Sequence, residues 1–186
     1  MVKVAILHEG KADEELLNLL LKDLNLDIDN IEFFRFGSKS NFFKLDNPKY
    51  KRLKLQIEEE AIGKVLFVVD ADYESNDKVY GGFSNTKDRL DEVIKKLDME
   101  NMADSYITCD PQTKDGYLES LILSSISQNQ KECIETFLDC SEFKSKDNHK
   151  SILNEIYKIA YPTAPYDFSH GNFDELKQKL KHVLNI

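Results

Sequence analysis

The chain of 186 residues carries 41% hydrophobic and 32% charged residues, enough to close one core, or a core with a small appendage. Its formal net charge of −9 disfavours tight nonspecific binding to nucleic acid, which relies on Lys and Arg neutralising phosphates, unless a bound divalent cation reverses the local sign. No apolar run approaches the roughly 18 residues that cross a bilayer, so no membrane span is expected; an odd cysteine count without paired ligand spacing, and no secretory leader pattern, point to a reducing cytoplasm.

Val2–Leu7 (VKVAIL) is aliphatic and β-branched and reads as a buried strand, ended by His8, Glu9 and Gly10. From Ala12 onward, Leu16, Leu17, Leu19, Leu20, Leu21 and Leu24 spread over a wide helical face, with Asp13, Glu14 and Glu15 in the first turn, where the helix dipole favours acids. Ile31–Phe36 reads as a second strand, Ser40–Tyr50 as a polar loop containing Pro48, and Lys51–Ile62 as a helix. Lys64–Val69 (KVLFVV) is the strongest strand, followed at once by Asp70, Ala71 and Asp72. Gly81 and Gly82 lead to a helix capped by Ser84 and running through Leu97, and Ser105–Cys109 reads as a fourth strand. After Asp115 the pattern turns helical over Tyr117–Ile126, Gln130–Leu138, His149–Ala160 and Phe173–Leu184, with a turn at Ser145–Asn148 and two prolines in YPTAPYDFSHGN. Strands alternating with helices predict a Rossmann-like α/β fold, a sheet of about four mainly parallel strands between helices. Residues 1–126 form the α/β domain in this reading, and residues 127–186 a helical extension packed on it as one unit.

In a parallel sheet, ligands bind beyond the carboxyl ends of the strands, near the point where strand order reverses. Glu9 ends the first strand. Asp70 and Asp72 end the strongest one, and their spacing sends both side chains to one side of an extended chain. Asp13 leans back toward the same spot from the start of the first helix. Crowded carboxylates repel unless they are protonated or share a cation, and oxygen-only ligands suit Mg²⁺ or Mn²⁺ rather than zinc. Taken singly, each of these acids is more simply structural or solvated, because Asp after a strand is an ordinary turn former in a chain with 34 acidic residues. Together they say more: both motifs follow predicted parallel strands, and the intervening strand offers no comparable acidic end.

The segments HEGKADEELL and VLFVVDADYE resemble the TOPRIM domain shared by topoisomerases, bacterial primases, small ribonucleases and the overcoming-lysogenization-defect nucleases. The resemblance covers roughly the first two-thirds of the chain, through Leu123. It implies parallel strands between helices and a divalent cation, Mg²⁺ or Mn²⁺, with Glu9 and Gly10 on the first motif and Asp70 and Asp72 on the second. Asp13 matches the second acidic position of the nuclease branch. DGYLESLIL, Asp115–Leu123, resembles a further motif of that branch and of small standalone TOPRIM-like bacterial proteins, making Glu119 a ligand candidate. The implied activity is hydrolysis or transfer of a phosphodiester in nucleic acid. Glu9 serves as metal ligand or as general acid or base, and Gly10 and Lys11 in the turn face the phosphate. With no attached ATPase, helicase or cleavage-tyrosine domain in the sequence, topoisomerase and primase activities are not expected.

Two rival readings use the same strand-end acids. In one, the fold is a metal- or nucleotide-binding regulatory module that works through a partner protein such as a separate ATPase. In the other, it is a receiver-like phosphotransfer protein, which expects a five-unit βα chain; the long helical tail speaks against it. Lys114 could serve a phosphate like Lys11, although both read more simply as solvated lysines. His8 is expected to point away from Glu9, and His149, His170 and His182 lack zinc-ligand spacing. Cys109 reads as a small buried hydrophobe, the Gly81–Gly82 pair as a connector, and Phe33, Phe34, Phe36, Phe42 and Phe43 as core with one or two on the far face.

Overall fold

The computed structural model describes residues 2–141, 152, 155, 156 and 167–184. In β1 (Lys3–His8), Val4 and Ile6 enter one apolar cluster while Ala5 and Leu7 enter another. A second strand, β2 (Ile31–Arg35), repeats the split with Ile31 against Phe34, and β3 (Ile62–Asp70) repeats it most fully, with Leu66 and Val68 against Val65, Phe67 and Val69. Strands that are apolar on both faces must be covered on both. The sheet therefore has two cores. With β4 (Ala103–Thr108) it forms four strands in the order β2-β1-β3-β4, every adjacent pair parallel. The α/β fold expected from the sequence is thus present, and its strand order reverses between β1 and β3.

The first core is roofed by α1 (Lys11–Asp23) through Leu16, Leu17, Leu20 and Leu21. The second is roofed by α2 (Lys39–Phe42), α3 (Pro48–Glu58) and α4 (Phe83–Lys96), which contribute Phe42, Tyr50, Leu53, Leu90, Val93 and Ile94. The chain then returns to the first core with α5 (Leu118–Leu123), α6 (Gln128–Cys140) and, after a 3₁₀ turn at Gly171–Phe173, α7 (Asp174–Leu184). Leu121, Leu138, Phe173, Leu176, Leu180 and Val183 are buried in the same cluster as Ile6 and Leu66.

Several boundaries move from those read in the sequence, each for a local reason. Pro48, read as loop, is the first residue of α3: its fixed φ suits that position, and the Asn47 side chain accepts the Lys49 N–H at 3.0 Å. That helix stops at Glu58 instead of Ile62, because Glu60 takes a positive φ of 57° and turns the chain into β3. The predicted loop after β2 closes into the single turn of α2. Helix α4 starts at Phe83 with Gly82, not Ser84, before it; Gly82 has φ 86°, and a Cβ there would stand 3.3 Å from Glu74 Cβ. Helix α6 extends past Gln130–Leu138 at both ends. The helix expected at His149–Ala160 lies largely outside the described residues, although Ile152, Glu155 and Ile156 are helical; the turn at Ser145–Asn148 and residues 161–166 lie outside them altogether. Among the described residues, no helix is long and apolar enough to cross a membrane.

Candidate functional site

Because β1 and β3 are neighbours, residues far apart in sequence meet where both strands end. The Asp70 N–H donates to Glu9 Oε1 at 3.0 Å across 61 residues of chain. Asp70 is 5% exposed, and its Oδ1 accepts the Leu118 N–H of α5 at 3.1 Å. Asp13, also buried, reaches back from α1 and accepts the Gly10 N–H at 2.6 Å. Asp72 sits at φ 57°, a conformation L residues rarely adopt, and its carbonyl accepts the Gly116 N–H at 3.1 Å.

A residue the sequence reading missed completes the edge. Lys39, the first residue of α2 and only 7% exposed, donates from Nζ to the Ala71 carbonyl at 2.6 Å and lies 3.4 Å from Asp72 Oδ2. Nothing in GSKSNFF marks it. The usable signal was positional: in a parallel sheet, the start of the helix after one strand lies near the carboxyl ends of that strand's neighbours.

Burial pushes the Glu9 carboxyl up to about 8, helped by the negative charges of Asp70, Asp72 and Asp13 and opposed by the hydrogen bond from Asp70. Burial also lowers the Lys39 ammonium below the ordinary lysine range, although Asp72, Glu9 and Asp70 pull it upward. Both groups are thus held toward their neutral forms.

The structure accordingly brings Glu9, Asp13, Asp70 and Asp72 to one edge. Glu119 is buried in the first turn of α5, next to the Leu118 N–H that binds Asp70. Gly10 precedes α1, and its N–H is used by Asp13. Lys11 is exposed and pairs with Glu15 at 3.0 Å, and Lys114 Nζ lies 5.1 Å from the centre of the Phe83 ring. His8 is fully buried, with Nδ1 2.8 Å from the Gly10 carbonyl, Nε2 3.4 Å from Glu14 Oε2 and its ring edge-on to Phe33. All three cysteines are free, and burial pushes the Cys109 thiol up to about 11, so it stays a protonated apolar filler. Phe34, Phe36 and Phe42 are core, whereas Phe33 is partly buried on the opposite face.

The donor chemistry of this edge fits a hard divalent cation: the donors are all oxygen, negatively charged and partly desolvated. Its arrangement is looser than its chemistry. Among the described residues, no group of three or more His, Cys, Asp or Glu is placed to hold a metal ion; Glu9, Asp13 and Asp70 each accept a backbone N–H, and Asp72 faces Lys39.

Fold and site together define a Rossmann-like α/β protein with an acidic edge at the reversal of strand order. Comparison with protein families, with curated proteins and with solved structures finds no match for this chain.

Proposed function

We propose that this is a TOPRIM-like protein of the cytoplasm that binds Mg²⁺ or Mn²⁺ and hydrolyses or transfers a phosphodiester in nucleic acid. The observation that carries this reading is the meeting of Glu9 with Asp70 at the reversal of strand order. Glu9 and Asp70 would hold the cation, with Asp13, Asp72 and Glu119 as the surrounding carboxylates. When bound, such a cation polarises a phosphoryl oxygen and acidifies a water. Glu9, with its proton held up to about 8, is suited to give or accept a proton near neutral pH. Asp70, fixed by the Leu118 N–H, keeps its orientation without substrate. With a net charge of −9, the chain would meet a polyanion through the cation and through Lys11 in the turn, so a short or local substrate contact fits better than a continuous track.

The test is incubation of the purified chain with labelled single- and double-stranded DNA and RNA, with Mg²⁺, with Mn²⁺ and with EDTA. Metal-dependent cleavage that Glu9→Gln removes supports the reading; no cleavage by the wild-type chain, or equal cleavage by the variant, ends it. The engagement of the carboxylates by backbone groups and Lys39 favours a second reading, a regulatory module that binds metal or nucleotide and acts through a partner such as a separate ATPase. Mg²⁺-dependent stabilisation without turnover, with a partner retained on the immobilised chain, would select it.

A further inference from the structure

We infer that the cavity between the β4–α5 loop and α6 is a pocket for a single unstacked nucleobase with an amino edge, guanine foremost, beside the acidic edge. The inference rests on the nucleic-acid reading above for its substrate class and deepens it, by naming the part of that substrate which is gripped.

The cavity measures about 310 Å³, at the small end of ligand pockets and enough for one bicyclic ring system. Leu123 and Leu138, buried in the first core, and Ile126 and Ile134, packed on it, supply its apolar lining. Tyr73 adds an aromatic ring, edge-on to Tyr117 with ring centres 5.7 Å apart. Such a lining suits the faces of a flat heterocycle, since every base has a π-face. Gly116 keeps the wall open: its φ is 95°, and a Cβ there would collide with Ser120 Oγ. Cavity and acidic edge meet at one backbone bridge, because Tyr73 follows Asp72, Asp115 precedes Gly116, and the Gly116 N–H donates to the Asp72 carbonyl at 3.1 Å.

The polar groups select the heterocycle. Lys131 is the one cation among the described lining residues, and it is paired with the buried Asp110. Asp115, half-buried, and Glu135, at the exposed rim, form no ion pair among the described residues. The lining therefore repels a phosphate and favours a ligand that brings N–H donors. Uracil and thymine have a ring N–H but no amino group, and adenine and cytosine have the amino group. Guanine sets a ring N–H beside an amino group, and the pair matches the two oxygens of one carboxylate. Ser120, 8% exposed, accepts the Tyr117 N–H at 3.3 Å, which leaves its own hydroxyl proton for a base acceptor such as the guanine O6. A base that is paired and stacked in a duplex cannot enter the cavity, so the ligand is single-stranded or extruded.

The experiment titrates guanosine, adenosine, cytidine and uridine calorimetrically into the full chain in EDTA, so that no cation takes part, and repeats the guanosine titration with Asp115→Asn and Glu135→Gln. The wild-type chain is expected to bind guanosine at one site and uridine at least about tenfold more weakly. Asp115→Asn should weaken guanosine binding at least about tenfold, and Glu135→Gln at least about threefold. No binding of guanosine, equal binding of all four nucleosides, or guanosine binding that neither variant weakens overturns the pocket. If Asp115→Asn does not fold, Glu135→Gln, at an exposed position, decides. A short single-stranded oligonucleotide with one guanine, and its duplex, identify the source of the base. Single-strand binding at least as tight as that of guanosine, with the duplex at least about tenfold weaker, supports a nucleic-acid strand; guanosine binding with neither oligonucleotide bound supports the pocket for a free nucleoside or nucleotide. Guanosine binding by a chain that cleaves no nucleic acid keeps the pocket and sinks the hydrolytic activity. Metal-dependent cleavage without nucleoside binding does the reverse.

Discussion

Leu66 and Phe67 of β3 are fully buried between helices that cover the two faces of the sheet, whereas Asp70, three residues on, is almost as deeply buried among Glu9, Asp72 and Lys39. The first region gains free energy from burial, at about 25 cal/mol per Å² of apolar surface. The second loses it, because desolvated carboxylates repel and shift toward protonation. One strand therefore carries both the strongest support of the fold and its least comfortable charges. Burial alone does not separate core from site; its electrostatic sign does.

The contrast is sharpest in deletion at the interior. Phe67→Ala should cost about 3–5 kcal/mol in urea unfolding, equally at pH 5 and pH 8, since no titrating group is involved. A loss below about 1 kcal/mol would show that the interior of β3 is loosely packed.

The edge should answer to pH, and in the opposite direction. Glu9 binds its proton more tightly in the folded chain, where its pKa is about 8 against the 4.5 of an ordinary glutamate. Its stabilising contribution is therefore fully present below the unfolded value and is lost as pH rises through the folded one. Glu9→Gln keeps an oxygen for the Asp70 N–H and carries no charge. It should be more stable than wild type by on the order of 2–4 kcal/mol at pH 8 and nearly equal to it at pH 4.5, as read by Tm across that range. A gap that does not change with pH would break the comparison.

A divalent cation should close part of the same gap. At about a hundredfold over its Kd, Mg²⁺ would stabilise the wild-type chain at pH 8 by about 2.7 kcal/mol, and Glu9→Gln much less; equal Tm shifts would show that the ion binds elsewhere. The smallest effect belongs to Lys11→Ala. It removes an exposed i,i+4 pair with Glu15 and should change stability by less than about 0.5 kcal/mol. If cleavage is established, a large loss of it in this variant with stability intact would give Lys11 a phosphate contact.

Most of the scaffold was legible in the amino-acid order. The runs VAIL and VLFVV are apolar at successive positions and rich in aliphatic and β-branched residues, which suits a strand covered on both faces, and Leu16 to Leu21 mark a helix by period. Boundaries set by single dihedrals were not: Pro48 reads as a breaker until Asn47 is seen capping the helix that it begins. At the site, Glu9, Asp70 and Asp72 were readable because each follows a strand. Lys39 was not, since a lysine in a polar stretch looks solvated until α2 is packed against the edge.

By itself, the order of residues determined which segments become strands and helices and that carboxylates follow two of the strands, because hydrophobic period and strand-end position are local properties. Only the tertiary structure decided that β1 lies beside β3, that Asp70 reaches Glu9, and that a lysine from a third element stands among them. Strand order follows from the packing of the whole sheet, and the desolvation that raises Glu9 comes from neighbours far away along the chain.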